Sequence, residues 1–371
     1  ASSESPSYAE SEYPSVAGWP TAAALVRGSW KLLMTERAQL FDLAADPDEQ
    51  RDLAPAQPAR AREMTAALQV IRRRVAETTA APAAATTDTA QRLRALGYVA
   101  APTARAATAT AMPATALRDW SIFEAALTDS RTGRVARALP VFASLAAAYP
   151  DAPIFASTYA RALADTGAIR QALTQLRAAV ARWPSDWSLF HELSATARAA
   201  GLAAEARRAE EAALALNPHE PSALNGKGLL LADAGAPAEA AQAFALAVEY
   251  DPTSGPYHAN LGNARRALGD LDGAAAAYRE ALARVPDLAD AANGLGVVLV
   301  QQQRAAEALP FLERAARDAG FLEAQLNLGI ALQQAGETDR AVAQYRKLAA
   351  LAAPSRERAA ARALLGELGR K

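Results

Sequence analysis

Apolar residues between about Asp119 and Pro354 recur three and four positions apart, the spacing of one buried helix face. The runs are punctuated on a fixed period. Prolines stand at 150, 184, 218, 252 and 286, each 34 residues after the last. The next step of 34 reaches Gly320, and the one after reaches Pro354. Seventeen residues before the first five prolines stand Gly133, Gly167, Gly201, Gly235 and Gly269. A glycine there can adopt positive φ and end a first helix. A proline ends the second, because it lacks an N–H and disfavours helix in the residue before it. The pattern predicts a helix–turn–helix repeat of period 34, in about seven units over residues 119–355.

Side-chain size repeats as well. Twelve residues before each proline, or its Gly320 counterpart, the chain has Ala138, Ala172, Ala206, Ala240, Ala274 and Ala308. Five before, it has Ala179, Ala213, Ala247, Ala281 and Ala315, with Leu145 in the first unit. Between these small residues sits a larger one: Phe142, Leu176, Phe244, Tyr278 or Leu312. Gly228, Gly262 and Gly296 supply a small residue on the facing helix. Two helices meeting through such positions approach closely. The third unit departs from the pattern with Glu210, and the sixth places Gln303 at the turn glycine.

The first hundred residues read differently. Residues 1–20 are polar and read as extended or loop. Thr21–Val26 and Trp30–Thr35 flank Arg27-Gly28-Ser29 as a hairpin, and Gln39–Leu43 is a third short strand. A turn over Ala45–Glu49 follows. Residues 57–77 then read as a helix, with Met64, Leu68, Ile71 and Val75 on one face. Three short strands need a packing partner, and none is obvious in the chain. Residues 78–88 and 101–116 are rich in Ala, Thr and Pro and read as flexible linkers, with 89–99 as a short docking segment between them. The domains expected are therefore 1–77, a linker at 78–118, the repeats at 119–355 and a capping helix at 356–371, in which Ser355 is the N-cap.

Composition narrows the functional classes. Of 371 residues, 51% are hydrophobic, mostly alanine, the strongest helix former. A net charge of −1 gives no strong attraction to nucleic acid or anionic lipid. There is no cysteine, which excludes disulfides and thiolate metal sites. No run of 18 apolar residues is present to span a membrane as a helix. Residue 1 is an alanine without an initiator methionine or signal peptide, and this start reads as the interior of a longer chain.

The repeat resembles the tetratricopeptide repeat. Asn260-Leu261-Gly262 with Gly269, Ala274, Tyr278, Ala281 and Pro286 is a near-complete match, and Asn327-Leu328-Gly329 with Gly336, Ala341 and Tyr345 is a second, one residue out of step. The resemblance implies a mainly all-α fold, a right-handed superhelix whose first helices line a concave groove. It also implies which repeat positions face that groove. These carry His191, Asn225 and Asn293 at the fifth, Arg161 and Asn263 at the ninth, and Arg198 and Arg266 at the twelfth. At the thirteenth they carry Arg131, Asp165, Asp233, Gln301 and Gln334. Amide side chains both donate to and accept from an extended peptide, and Arg grips a carboxylate. The partner implied is a protein or peptide, of no definite charge, with the oligomeric state open.

A second resemblance covers residues 7–100. Tyr8–Ser11, Tyr13-Pro14, Gly18-Trp19, Arg27–Leu33, Gln39–Leu43, Asp46–Glu49 and Asp52-Leu53 follow the order and spacing of the C-terminal end of a sulfatase, of the alkaline phosphatase superfamily. Arg92–Val99 looks like the tail of sulfatases that continue into repeats. That resemblance implies a small antiparallel sheet, an Asp-Pro turn and a closing helix, with Phe41 replacing the usual tyrosine and Asp52 the usual asparagine. It also implies a bacterial, extracytoplasmic or periplasmic parent, although a cytoplasmic one is compatible with the residues. The formylglycine setting (Cys/Ser-x-Pro-x-Arg) does not occur here. A divalent metal such as calcium would be bound only by a region upstream. No catalytic or metal residue is assigned.

The three histidines, His191, His219 and His258, have no zinc-like spacing. His219 reads as a solvated turn residue, His191 and His258 as surface or groove positions. Arg72-Arg73-Arg74 reads as a solvated helix face. Two functions follow: an interaction scaffold attached to a sulfatase-like remnant, or the C-terminal fragment of a sulfatase-type hydrolase.

Overall fold

The computed structural model describes residues 7–11, 22–35, 37–47, 49, 51–78, 116–351 and 354–368. Four strands and sixteen helices lie among them. The expected linker segments between residues 79 and 115, the Arg92–Val99 motif, and the Tyr13-Pro14 and Gly18-Trp19 matches lie outside the described residues. The chain divides into two compact units, residues 1–201 and 202–371.

In the first unit, β1 (Ser7–Ser11), β2 (Ala22–Arg27), β3 (Trp30–Met34) and β4 (Ala38–Asp42) form one antiparallel sheet in that order. Arg27 pairs with Trp30 across Gly28-Ser29, and Gly28 takes φ +60° as the turn requires. The sheet has four strands, not three. Ser7–Ser11, read from its polarity as extended or loop, pairs with Ala22–Val26. Strand formation there follows from a neighbour's free edge rather than from side-chain pattern. The packing partner that the sheet needs is also in the chain. Helix α1 (Pro58–Thr78) lays Ala61, Met64 and Leu68 on Ala23, Leu25, Leu32 and Leu40. Asp52 Oδ1 accepts from the backbone N–H groups of Leu40 (3.1 Å) and Ala54 (2.9 Å), and Leu53 N–H donates to Leu40 O (2.7 Å). The outer side of β4 is thereby satisfied at Leu40. Asparagine would accept there as well, so the exchange to Asp52 leaves the contact intact.

The first two helix pairs follow: α2 (Ala116–Arg131) with α3 (Val135–Ala148), then α4 (Pro153–Asp165) with α5 (Ile169–Arg182). Their core is aromatic. The Phe123 ring meets Phe155 edge-on at 5.0 Å and Phe142 at 5.9 Å. Helix α6 (Trp187–Ala199) closes the unit. Its N-cap Asp186 accepts from Ser188 N (3.0 Å) and Ser188 Oγ (2.6 Å).

The second unit runs through α7 (Ala203–Leu216), α8 (Pro221–Asp233), α9 (Pro237–Tyr250), α10 (Gly255–Ala267) and α11 (Leu271–Arg284). It continues through α12 (Ala289–Gln301), α13 (Ala305–Ala315), α14 (Leu322–Gln334) and α15 (Thr338–Ala349), and ends in α16 (Arg356–Leu368). Among the described residues, the helices after α1 thus follow one another as α2 to α15, two to each period of 34, and a last helix, α16. Helices α3, α5, α7, α9 and α11 are capped at Tyr149, Trp183, Asn217, Asp251 and Val285, each just before a periodic proline. The turn glycines take φ between +74° and +83°. Gln303 occupies the same left-handed region at +62°. Ser355 Oγ accepts from Arg358 N (3.0 Å) at the start of α16, which packs Leu364, Leu365 and Leu368 on the preceding core. Glu210, at the large-apolar position, is 2% exposed, and a Cβ on Gly226 would come 2.7 Å from its carboxyl.

Candidate binding cleft

Within the second unit a cleft of about 370 Å³ opens along first helices. Helix α10 contributes Asn260, Asn263 and Arg266, three residues apart and therefore on one face. Helix α12 contributes Asp290, Asn293 and Val297. Leu288, Phe321 and Glu323 complete the wall from the entries to α12 and α14.

Amide side chains link successive repeats. Asn260 Nδ2 donates to Asn225 Oδ1 (2.8 Å), and Asn327 Nδ2 donates to Asn293 Oδ1 (2.9 Å). Asn293 is only 7% exposed. Its Oδ1 is thus occupied, and its Nδ2 has no hydrogen-bond partner among the described residues. Asn263 Oδ1 accepts from the Tyr278 hydroxyl (2.7 Å). Burial raises the Tyr278 pKa, and the nearby Arg266 opposes that shift. The Nε of Arg266 is buried without a hydrogen-bond partner.

Of the residues expected to face a groove, Asn263, Arg266 and Asn293 line this cleft, and Asn225 joins it through Asn260. Asp233, Gln301 and Gln334 are exposed near the ends of α8, α12 and α14 and do not line it. The other expected residues belong to the first unit. Arg161 on α4 is ion-paired with Glu192 on α6. Asp165 is raised in pKa by surrounding protein, with Arg161 opposing. His191 is half-buried, Arg198 is exposed, and Arg131 donates to Thr128 Oγ1 (3.2 Å).

His258 corrects an expectation. It is 7% exposed, and its Nε2 is 3.1 Å from Pro252 O. It is a core residue tied to the preceding turn, not a surface or groove position. His219 is exposed, and its ring lies tilted against Tyr250 with centroids 4.9 Å apart. Sequence reasoning passed over Asn260 and Asn327 as ordinary features of the motif, although they hold Asn225 and Asn293. It missed Asp290 too, three residues before Asn293 on the same face. Among the described residues no group of three or more His, Cys, Asp or Glu is placed to hold a metal ion. No described helix is long and apolar enough to cross a membrane.

Paired helices repeating every 34 residues around an amide-lined cleft define a helical-repeat protein suited to act as a protein-interaction scaffold. Profiles of the tetratricopeptide repeat match residues 123–187, 191–256, 260–321 and 323–355. The chain belongs to the tetratricopeptide-repeat family. It is similar to a chain in the structure of the APC/C hetero-tetramer Cut9-Hcn1 (18% identity, TM-score 0.53), over 58% of this chain and 43% of that one. The chain therefore spans less than half the length of that relative. PilW, a type IV pilus biogenesis factor, aligns at 18% identity and TM-score 0.52, over 56% of this chain and 97% of its own. PilF of Pseudomonas aeruginosa aligns at 19% and 0.50, over 56% and 96%. At these identities the likeness is one of fold. No curated protein matches the chain.

Proposed function

We propose that the repeats at 119–355 bind a protein or peptide segment in extended form along their first helices. The supporting observation is the pair of amide links in the cleft. With Asn260 Nδ2 spent on Asn225 and Asn293 Oδ1 spent on Asn327, the groups left are the Asn260 oxygen and the Asn293 N–H. One accepts and one donates, which is what a passing peptide group needs. Leu288, Val297 and Phe321 offer apolar contact beside them. Arg266 adds a cation suited to a carboxylate. The test is to select peptides by display on the full chain and measure their affinity by calorimetry. The triple variant N263A/R266A/N293A should bind them at least tenfold more weakly. Equal binding would refute the assignment.

A second reading keeps residues 1–77 as the C-terminal subdomain of a sulfatase-type hydrolase, with residues 78–118 as linker and 356–371 as a cap. It is supported by the antiparallel hairpins closed by a helix, and by the local ties that the resemblance singled out. Lys31 Nζ is held by Glu49 at 2.6 and 2.7 Å, and Asp52 fastens the edge at Leu40. On this reading the repeats position a substrate or partner for chemistry performed elsewhere in the parent. Intact mass and N-terminal sequencing of the native protein test it. A mass near 38.8 kDa, that of this chain, would leave only the binding role.

A further inference from the structure

Two carboxylates line the cleft wall. Asp290 and Glu323 are each the second residue of their helices, and both are exposed in the cleft wall. Neither has an ion-pair or hydrogen-bond partner among the described residues. Helix dipoles favour acids in first turns, which accounts for their presence but not for two of them converging on one hollow. The nine-tenths-buried Asn293, whose Nδ2 has no partner, lines the same hollow.

Resting on the groove reading above, we infer that the preferred occupant is a peptide segment with a lysine or arginine side chain set against Asp290 and Glu323, while one of its main-chain carbonyls accepts from Asn293 Nδ2. A cation there gains two carboxylates that have no competing partner. An acidic side chain at the same place meets like charge.

The test uses the full 371-residue chain and fluorescein-labelled nonapeptide pools. Each pool is randomised over Ala, Gly, Leu, Ser and Asn, with the central residue fixed as Lys, Arg, Gln, Asp or Glu. Polarisation titrations should show the Lys and Arg pools binding about fivefold more tightly than the Asp and Glu pools. The preference should shrink as salt is raised. The variant D290K/E323K should reverse it, a gain of acidic-pool binding that misfolding cannot produce. If every pool binds alike but N263A/N293A weakens all of them, the charge assignment is overturned and the groove reading stands. The assignment is equally overturned if the basic preference survives in D290K/E323K. If no pool binds the wild type better than N263A/N293A, both fail.

Discussion

Gly262 on α10 lies directly against the ring of Tyr278 on α11. A Cβ built on Gly262 would lie 2.7 Å from Tyr278 Cε1, while Tyr278 itself is fully buried. The same relation holds between Gly228 and Phe244, at 2.5 Å. The repeat is thus a lock between an absent side chain and an aromatic one. Core packing at native density has no slack to admit even a methyl group.

Gly262→Ala should therefore destabilise the protein by about 1–3 kcal/mol, the cost of overpacking a filled core. Urea denaturation checks it. Adding Tyr278→Leu should recover part of the loss, because the smaller side chain leaves room for the methyl. A double-mutant cycle with no coupling would refute the contact.

Gln303 takes the left-handed conformation at φ +62° that glycine adopts in the other turns. Relief of that strain is worth about 1–2 kcal/mol and is offset by about 0.4–1 kcal/mol of glycine's unfolded-state entropy. Gln303→Gly should stabilise by up to about 1.6 kcal/mol. Gly269→Ala, at φ +80°, should destabilise by a similar amount. Thermal melts of the two variants should move in opposite directions.

Burial raises the pKa of Asp186, with its bonds from Ser188 opposing. The folded state therefore prefers the protonated form. Its favourable contribution is complete below the unfolded carboxylate value of about 3.9 and is lost as pH rises through the folded value. Asp186→Asn keeps the capping oxygen and removes the charge. It should melt at or above the wild type at pH 7, with the gap closing in acid. Asp186→Ala loses the cap and should cost about 1 kcal/mol in acid, the cost shrinking as pH rises through the folded value.

Burial pushes the Tyr345 hydroxyl up to about 12, with Glu367 adding to the shift. The unfolded chain ionises this group near 10. Stability contributed by the neutral phenol is thus complete below about pH 10 and lost as pH rises toward 12. Tyr345→Phe should be less sensitive to unfolding in that window. Ultraviolet titration of wild type and variant should assign the latest-ionising tyrosine to Tyr345. Loss of an ordinary tyrosine signal near 10 in the variant would contradict the assignment.

Much of this molecule was legible in its sequence because the informative signals are local. A 3.6-residue period, a glycine able to take positive φ and a proline unable to donate each act within a few residues. They place the seven helix pairs, the hairpin at Gly28 and the cap at Ser355 without knowledge of the rest. The large–small pairs were legible for the same reason, since Gly262 and Tyr278 are only one hairpin apart. What only the tertiary structure decided lies at longer range. Ser7–Ser11 became a strand because β2 offers an edge, a fact absent from its own polar residues. His258 went inward to meet Pro252, while His219 stayed out beside the Tyr250 ring. Asn260 and Asn327 turned from motif residues into the partners of Asn225 and Asn293. Asp290 and Glu323 came to share one cleft. The last two depend on how one helix is rotated about its axis against a helix a whole repeat away. The helical period sets which residues share a face. Only packing sets what that face meets.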